Sequence, residues 1–116
     1  MASKPERYEG SLVLPGQTEP RGVSVSLDED ATAVKVSFTE PAAGSKEWQG
    51  SDVFMARRLK YMEVTFRTTG LPQETVELVW KINASLLDDT LAGVIVVKPN
   101  EVRVSGERGF ILSRPG

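Results

Sequence analysis

The stretch from Glu74 to Ser105, ETVELVWKINASLLDDTLAGVIVVKPNEVRVS, constrains this chain more than any other. Residues Val76, Leu78, Trp80, Ile82, Ala84 and Leu86 share one parity, and the other parity is mostly polar. Successive side chains of a strand point to opposite faces, so the alternation predicts a strand over 74–87 with one buried face. Asp88-Asp89 suits a tight turn, because aspartate bonds its own local backbone and tolerates unusual angles. Folding back there sets Leu86 against Leu91, Ala84 against Gly93, Ile82 against Ile95 and Trp80 against Val97. The small pair, Ala84 and Gly93, marks a sharp bend or a close backbone approach. A second reversal at Pro99-Asn100 sets Val97 against Val102 and Ile95 against Val104. Both turns imply the same inner face.

The amino-terminal half repeats this design. Tyr8 to Leu14 reads as a short strand ended by Pro15-Gly16, after a loose terminus over residues 1–7. Val23, Val25 and Leu27 alternate with Ser24 and Ser26, and Glu29-Asp30 turns the chain so that Val25 meets Val34 and Val23 meets Val36. Met62, Val64 and Phe66 alternate with Tyr61, Glu63 and Thr65, and Phe110 to Ser113 reads as a last strand. Between Glu40 and Arg58 the alternation fails. A structureless loop of that length is unusual in a compact domain, so the segment is expected to hold a flap or a short helix near 51–59, capped by Ser51 or Asp52. A strand through Val53, Phe54 and Met55 is the alternative.

About eight strands result: 8–14, 21–28, 32–39, 60–68, 74–87, 90–98, 101–105 and 109–113. Their short connections suit only antiparallel neighbours, so residues 8–116 are read as a single all-β domain. The expected architecture is a barrel-like antiparallel meander, with a two-sheet β-sandwich as the alternative. A barrel leaves no free edge and fits one consistent inner face. In its repeated short hairpins and the Leu91-Ala92-Gly93 return, the carboxyl half resembles small calycin-type, lipocalin-like barrels in general shape. No diagnostic lipocalin motif accompanies that likeness, so no residue roles follow from it.

The chain has no cysteine and no histidine. That excludes disulfides, thiolate chemistry, a Ser-His-Asp triad and histidine-bound zinc, and it argues against an enzyme. A carboxylate enzyme, or one using Tyr8 and Tyr61, remains as a lesser alternative. The net charge of −2 gives no bias toward nucleic acid or an anionic membrane. The amino terminus lacks an apolar signal core and no apolar run reaches ~18 residues, so a cytoplasmic protein is expected.

The candidate sites are few. Asp28-Glu29-Asp30 and Asp88-Asp89 offer carboxylates but follow no calcium-loop pattern, so no metal or cofactor is expected. Asn83-Ala84-Ser85 matches a glycosylation acceptor inside a strand. Arg57, Arg58 and Lys60, with Lys46, lie beside Trp48, Phe54 and Tyr61, but the cluster is too small for nucleic-acid binding. Two readings carry more. Trp80 on the inner face, under a lid carrying Trp48 and Phe54, would suit a small apolar ligand, although a short chain favours a filled interior. Val79, Val94 and Val96, with Leu87, fall on the nominally outer face, where something must cover them. The foremost expectation is therefore a non-enzymatic interaction module that forms a homo-oligomer through that face.

Overall fold

The computed structural model describes residues 6–14, 18–40, 44–69, 77–97 and 108–114. Among these, nine strands form one antiparallel sheet and no helix is present: β1 (Glu6–Leu12), β2 (Arg21–Asp28), β3 (Ala33–Glu40), β4 (Gly44–Gln49), β5 (Ser51–Arg57), β6 (Tyr61–Thr68), β7 (Leu78–Ser85), β8 (Thr90–Val97) and β9 (Arg108–Ser113). The order β4-β3-β2-β1-β9-β8-β7-β6-β5 is a meander whose first and last strands, β1 and β9, lie side by side. The sheet's two end strands, β4 and β5, are consecutive in the chain and separated by Gly50 alone. One bent strand thus pairs first with β3 and then with β6, which nearly closes the sheet into a barrel. A single curled sheet replaces the two-sheet sandwich alternative.

The inner face is the expected one. Val23, Val25, Leu27, Val34, Val36 and Phe38 pack from β2 and β3, opposite Met62, Val64, Phe66, Leu78, Trp80 and Ile82 from β6 and β7. Trp80 is fully buried, stacked on Phe66 at 5.4 Å and meeting Phe110 edge-on at 5.8 Å. Its indole N–H donates to Thr68 Oγ1 at 2.8 Å, which explains why a threonine is buried in an otherwise apolar interior.

Both expected hairpins keep their faces but not their register. Ile82 pairs with Gly93 and Trp80 with Ile95, and Ala84 faces Leu91 rather than Gly93. Likewise Val25 pairs with Val36 and Val23 with Phe38. Each turn is longer than the expected Asp-Asp or Glu-Asp pair. Leu86 to Asp89 loop out after β7, so Leu86 lies in the turn and not on the inner face. Ser85 Oγ accepts from the N–H groups of Leu87 and Asp88, and Asp88 Oδ1 accepts from the N–H and hydroxyl of Thr90. In the other turn Asp28 Oδ1 accepts from Ala31 N–H, and Thr32 sits at a φ of 51°. Side-chain acceptors of this kind stabilise a wider loop than turn dipeptides alone suggest. A slip by an even number of residues leaves every side chain on its own face, so the alternation cannot detect it.

The expected flap or helix near 51–59 is corrected to strand, the alternative reading through Val53, Phe54 and Met55. Ser51–Arg57 is β5, paired with β6, and Gly44–Gln49 is β4, paired with β3. Alternation fails there because Asp52, at a φ of 51°, is an extra residue in a β-bulge, where the register with β6 shifts. Trp48 and Gly50 before it, and Val53 and Met55 after it, share the inner side only because of that extra residue. Gly50 is itself a blank in the pattern: a Cβ there would lie 2.8 Å from the Phe66 ring.

β8 also has a different neighbour from the expected strand 101–105, which lies outside the described residues. Ile95 pairs with Arg108 and Gly93 with Phe110, not Ile95 with Val104. Gly93 has a packing reason: a Cβ would lie 2.4 Å from Ile82 Cγ2 and 2.9 Å from Phe110 Cζ. At the amino end, β1 begins at Glu6, two residues inside the stretch expected to be loose. Among the described residues no helix is long and apolar enough to cross a membrane.

Candidate functional site

The register places Val79, Val94 and Val96 together on the outer face. Val79 lies directly beside Val96 on the adjacent strand, and Val94 lies beside Lys81 on one side and Gly109 on the other. All three valines are half-buried by their neighbours. Ala92 and Ile111 form the next cross-strand pair and extend the apolar surface, Ile111 with 69% of its area exposed. Gly109 offers no side chain, and the nearest atom to a Cβ placed there is 3.8 Å away. The result is a shallow hollow lined by Lys81, Asn83, Ala92, Val94, Val96 and Ile111. Its centre is apolar, with Lys81 and Asn83 at the margin. Leu87, which the alternation had put on this face, is instead at the exposed tip of the β7–β8 turn.

Ala92 and Ile111 escaped the sequence reading. Each has the right parity, between Leu91 and Gly93 and between Phe110 and Leu112. They become neighbours only because β9, rather than 101–105, pairs with β8.

The three residues suggested for an apolar ligand are not brought together. Trp80 is enclosed by Phe66 and Phe110 in the interior. Trp48, on β4, packs edge-on against Phe38 at 5.6 Å and is half-buried. Phe54 is on the outer side of β5 with 52% of its area exposed.

Several of the charged candidates are engaged within the chain. Arg57 donates to both carboxylate oxygens of Glu29, at 2.6 and 3.2 Å, tying the end of β5 to the β2–β3 turn. That guanidinium holds the Glu29 carboxyl below the usual carboxylate range. Arg58 donates to Glu63 Oε1 at 2.8 Å from Nη2. The turn carboxylate Asp88 is likewise held below its usual range by its bonds from Thr90. Asn83 is exposed on the outer face of β7, and the Ser85 hydroxyl of the same acceptor pattern is occupied in the turn. Among the described residues no group of three or more acidic side chains is placed to hold a metal ion.

Tyr8 and Tyr61 point to opposite faces. Tyr8 is buried, its hydroxyl donates to Glu6 Oε1 at 3.2 Å, and Arg114 lies over its ring at 5.7 Å. Burial pushes its phenol above the ordinary tyrosine range. Tyr61 is on the outer side, paired with Ser85. No family model matches this chain, and neither curated proteins nor solved structures contain a match to it.

Proposed function

We propose that this protein is a non-enzymatic interaction module that self-associates through the outer face of β7, β8 and β9. The observation that carries the reading is the continuous apolar strip of Val79, Val96, Val94, Ala92 and Ile111 on a face that the barrel core does not use. A second copy offers the same strip, so a two-fold contact would bury both at once and leave Lys81 and Asn83 at the rim. The absence of histidine and cysteine agrees with a binding role.

Light scattering after size exclusion tests this across a wide concentration range. The wild type is expected to assemble. The double change Val94→Asp with Val96→Lys is expected to abolish that contact while the far-ultraviolet spectrum and unfolding midpoint hold, since the introduced carboxylate would lie opposite Lys81. A wild type that stays strictly monomeric at the highest concentration would sink the reading. So would a double variant that assembles as before.

A further inference from the structure

We propose that the free edge of β5 is a second contact surface, which takes β5 of a second copy in antiparallel register centred on Met55. This contact is separate from the outer face of β7–β9, and each can fail without the other.

Hydrogen-bond parity decides which backbone groups of β5 face away from β6. Arg58 N–H donates to Tyr61 O at 2.8 Å, which marks that cross-strand pair as hydrogen-bonded. In an antiparallel ladder such pairs alternate, so Ala56 with Glu63 and Phe54 with Thr65 are the next ones toward the bulge. The intervening residues, Met55 and Arg57, therefore turn their N–H and C=O groups away from β6. Among the described residues no strand pairs with that side of β5, because β5 ends the sheet. The bulge at Asp52 sets this parity: Gly50 N–H bonds Val34 O on β3, and the extra residue carries the same outward direction to Met55. An unpaired row of backbone donors and acceptors on a strand without proline is a template for another strand.

The side chains select a second copy and one register. Centring the two-fold on Met55 lets Met55 exchange backbone bonds with the partner's Met55. It sets Asp52 beside Arg58 of the partner subunit, and Phe54 beside the partner's Ala56, each twice by symmetry. Asp52, Phe54 and Ala56 lie on the outer side of β5, so opposite charges and apolar groups match along one face. Asp52 and Arg58 each already hold an exposed ion pair within their own copy, with Arg67 and Glu63 respectively, which the contact would share or exchange at little cost. Centring on Arg57 would oppose two guanidinium groups, and centring on Val53 would oppose Asp52 to a phenylalanine. The contact covers Phe54, which the barrel leaves half-exposed. The Arg57–Glu29 ion pair spans this edge to the β2–β3 turn, but it is exposed on both sides and so resists displacement only weakly.

Native mass spectrometry and amide hydrogen exchange, run over a concentration series, provide the test. Met55→Pro removes one donor that β6 does not use, and proline is tolerated where the N–H faces outward on an edge strand. It is expected to weaken the β5 contact by about a hundredfold, through lost backbone bonds at the two-fold. Met55→Val keeps the N–H and is expected to retain the contact. Arg58→Glu, which leaves the strand backbone intact should the proline variant misfold, is expected to weaken it about tenfold. In the wild type the Met55 and Arg57 amides are expected to exchange more slowly as concentration rises. Exchange at those two amides that is independent of concentration overturns the proposal, as does a folded Met55→Pro variant with unchanged assembly. If Val94→Asp with Val96→Lys alone removes all assembly, the edge contact is wrong and the outer-face contact stands.

Discussion

The strands β1–β3 and the strands β7–β9 solve the same problem on the inside and opposite ones on the outside. Both line the core with alternating large apolar residues, Val23, Val25 and Leu27 in the one, Leu78, Trp80 and Ile82 in the other. Outside, β1–β3 carry Ser24, Ser26 and Ser37 among Arg7 and Glu9, with Glu47 of β4 beside Ser37, a hydroxyl-rich surface that closes on Arg114. The outer residues of β7–β9 at comparable positions are Val79, Val94, Val96, Ala92 and Ile111. The barrel itself therefore does not demand apolar side chains on its exterior. Water satisfies a serine-faced sheet side as well, so closing the barrel does not account for the valines, and it is on that contrast that the proposed function rests.

Core substitutions should show the two inner faces to be alike in kind and unequal in weight. Trp80→Ala is expected to lower stability by about 3–5 kcal/mol, with the Thr68 hydroxyl left without its donor. Val36→Ala, on the opposite wall, should cost about 2 kcal/mol. Chemical denaturation of both variants measures the contrast, and a Trp80→Ala cost no larger than that of Val36→Ala would mean the aromatic cluster does not anchor the core.

A smaller effect separates the two turns. Thr32 is β-branched and holds a left-handed φ of 51°, whereas no residue of the Leu86–Asp89 turn has a positive φ. Thr32→Gly relieves that strain and is expected to raise stability by about 1 kcal/mol, net of the glycine's greater freedom when unfolded. A lower unfolding midpoint would show that the threonine makes a contact worth more than the strain.

The smallest expected change in stability comes from making the polar side resemble the apolar one. Ser24 and Ser37 are direct cross-strand neighbours on the outer face. Replacing both with valine should alter stability by less than about 1 kcal/mol, since valine suits a strand and no core contact is touched. Light scattering should nevertheless show stronger association than in the wild type. Unchanged association would break the comparison, because it would mean that an apolar outer face is not by itself adhesive in this barrel.

Much of the architecture was readable from alternation, because the period of side-chain direction is a local property. The strand Arg21–Asp28 and the parity of Val79, Val94 and Val96 are legible in the sequence for that reason. The β4–β5 strand was legible only through Val53, Phe54 and Met55, as the alternative to a helix, and not at all in β4. Its apolar positions, Trp48, Val53 and Met55, straddle a glycine and a bulge, so the pattern loses phase at the point where the strand changes partners. The apolar strip was only partly legible: Ala92 and Ile111 have ordinary local patterns and meet through a pairing that spans the segment between β8 and β9.

What the amino-acid order determined by itself, then, was which side of each regular strand faces inward. It did so because burial selects one parity, and any shift by an even number of residues preserves that choice. The tertiary structure decided the registers of both hairpins, the pairing of β9 with β8, and the bulge that lets one bent strand serve both ends of the sheet. Those choices balance turn hydrogen bonds, the close fit of Phe110 over Gly93, and the closure of the whole barrel, and no local stretch of sequence contains all three.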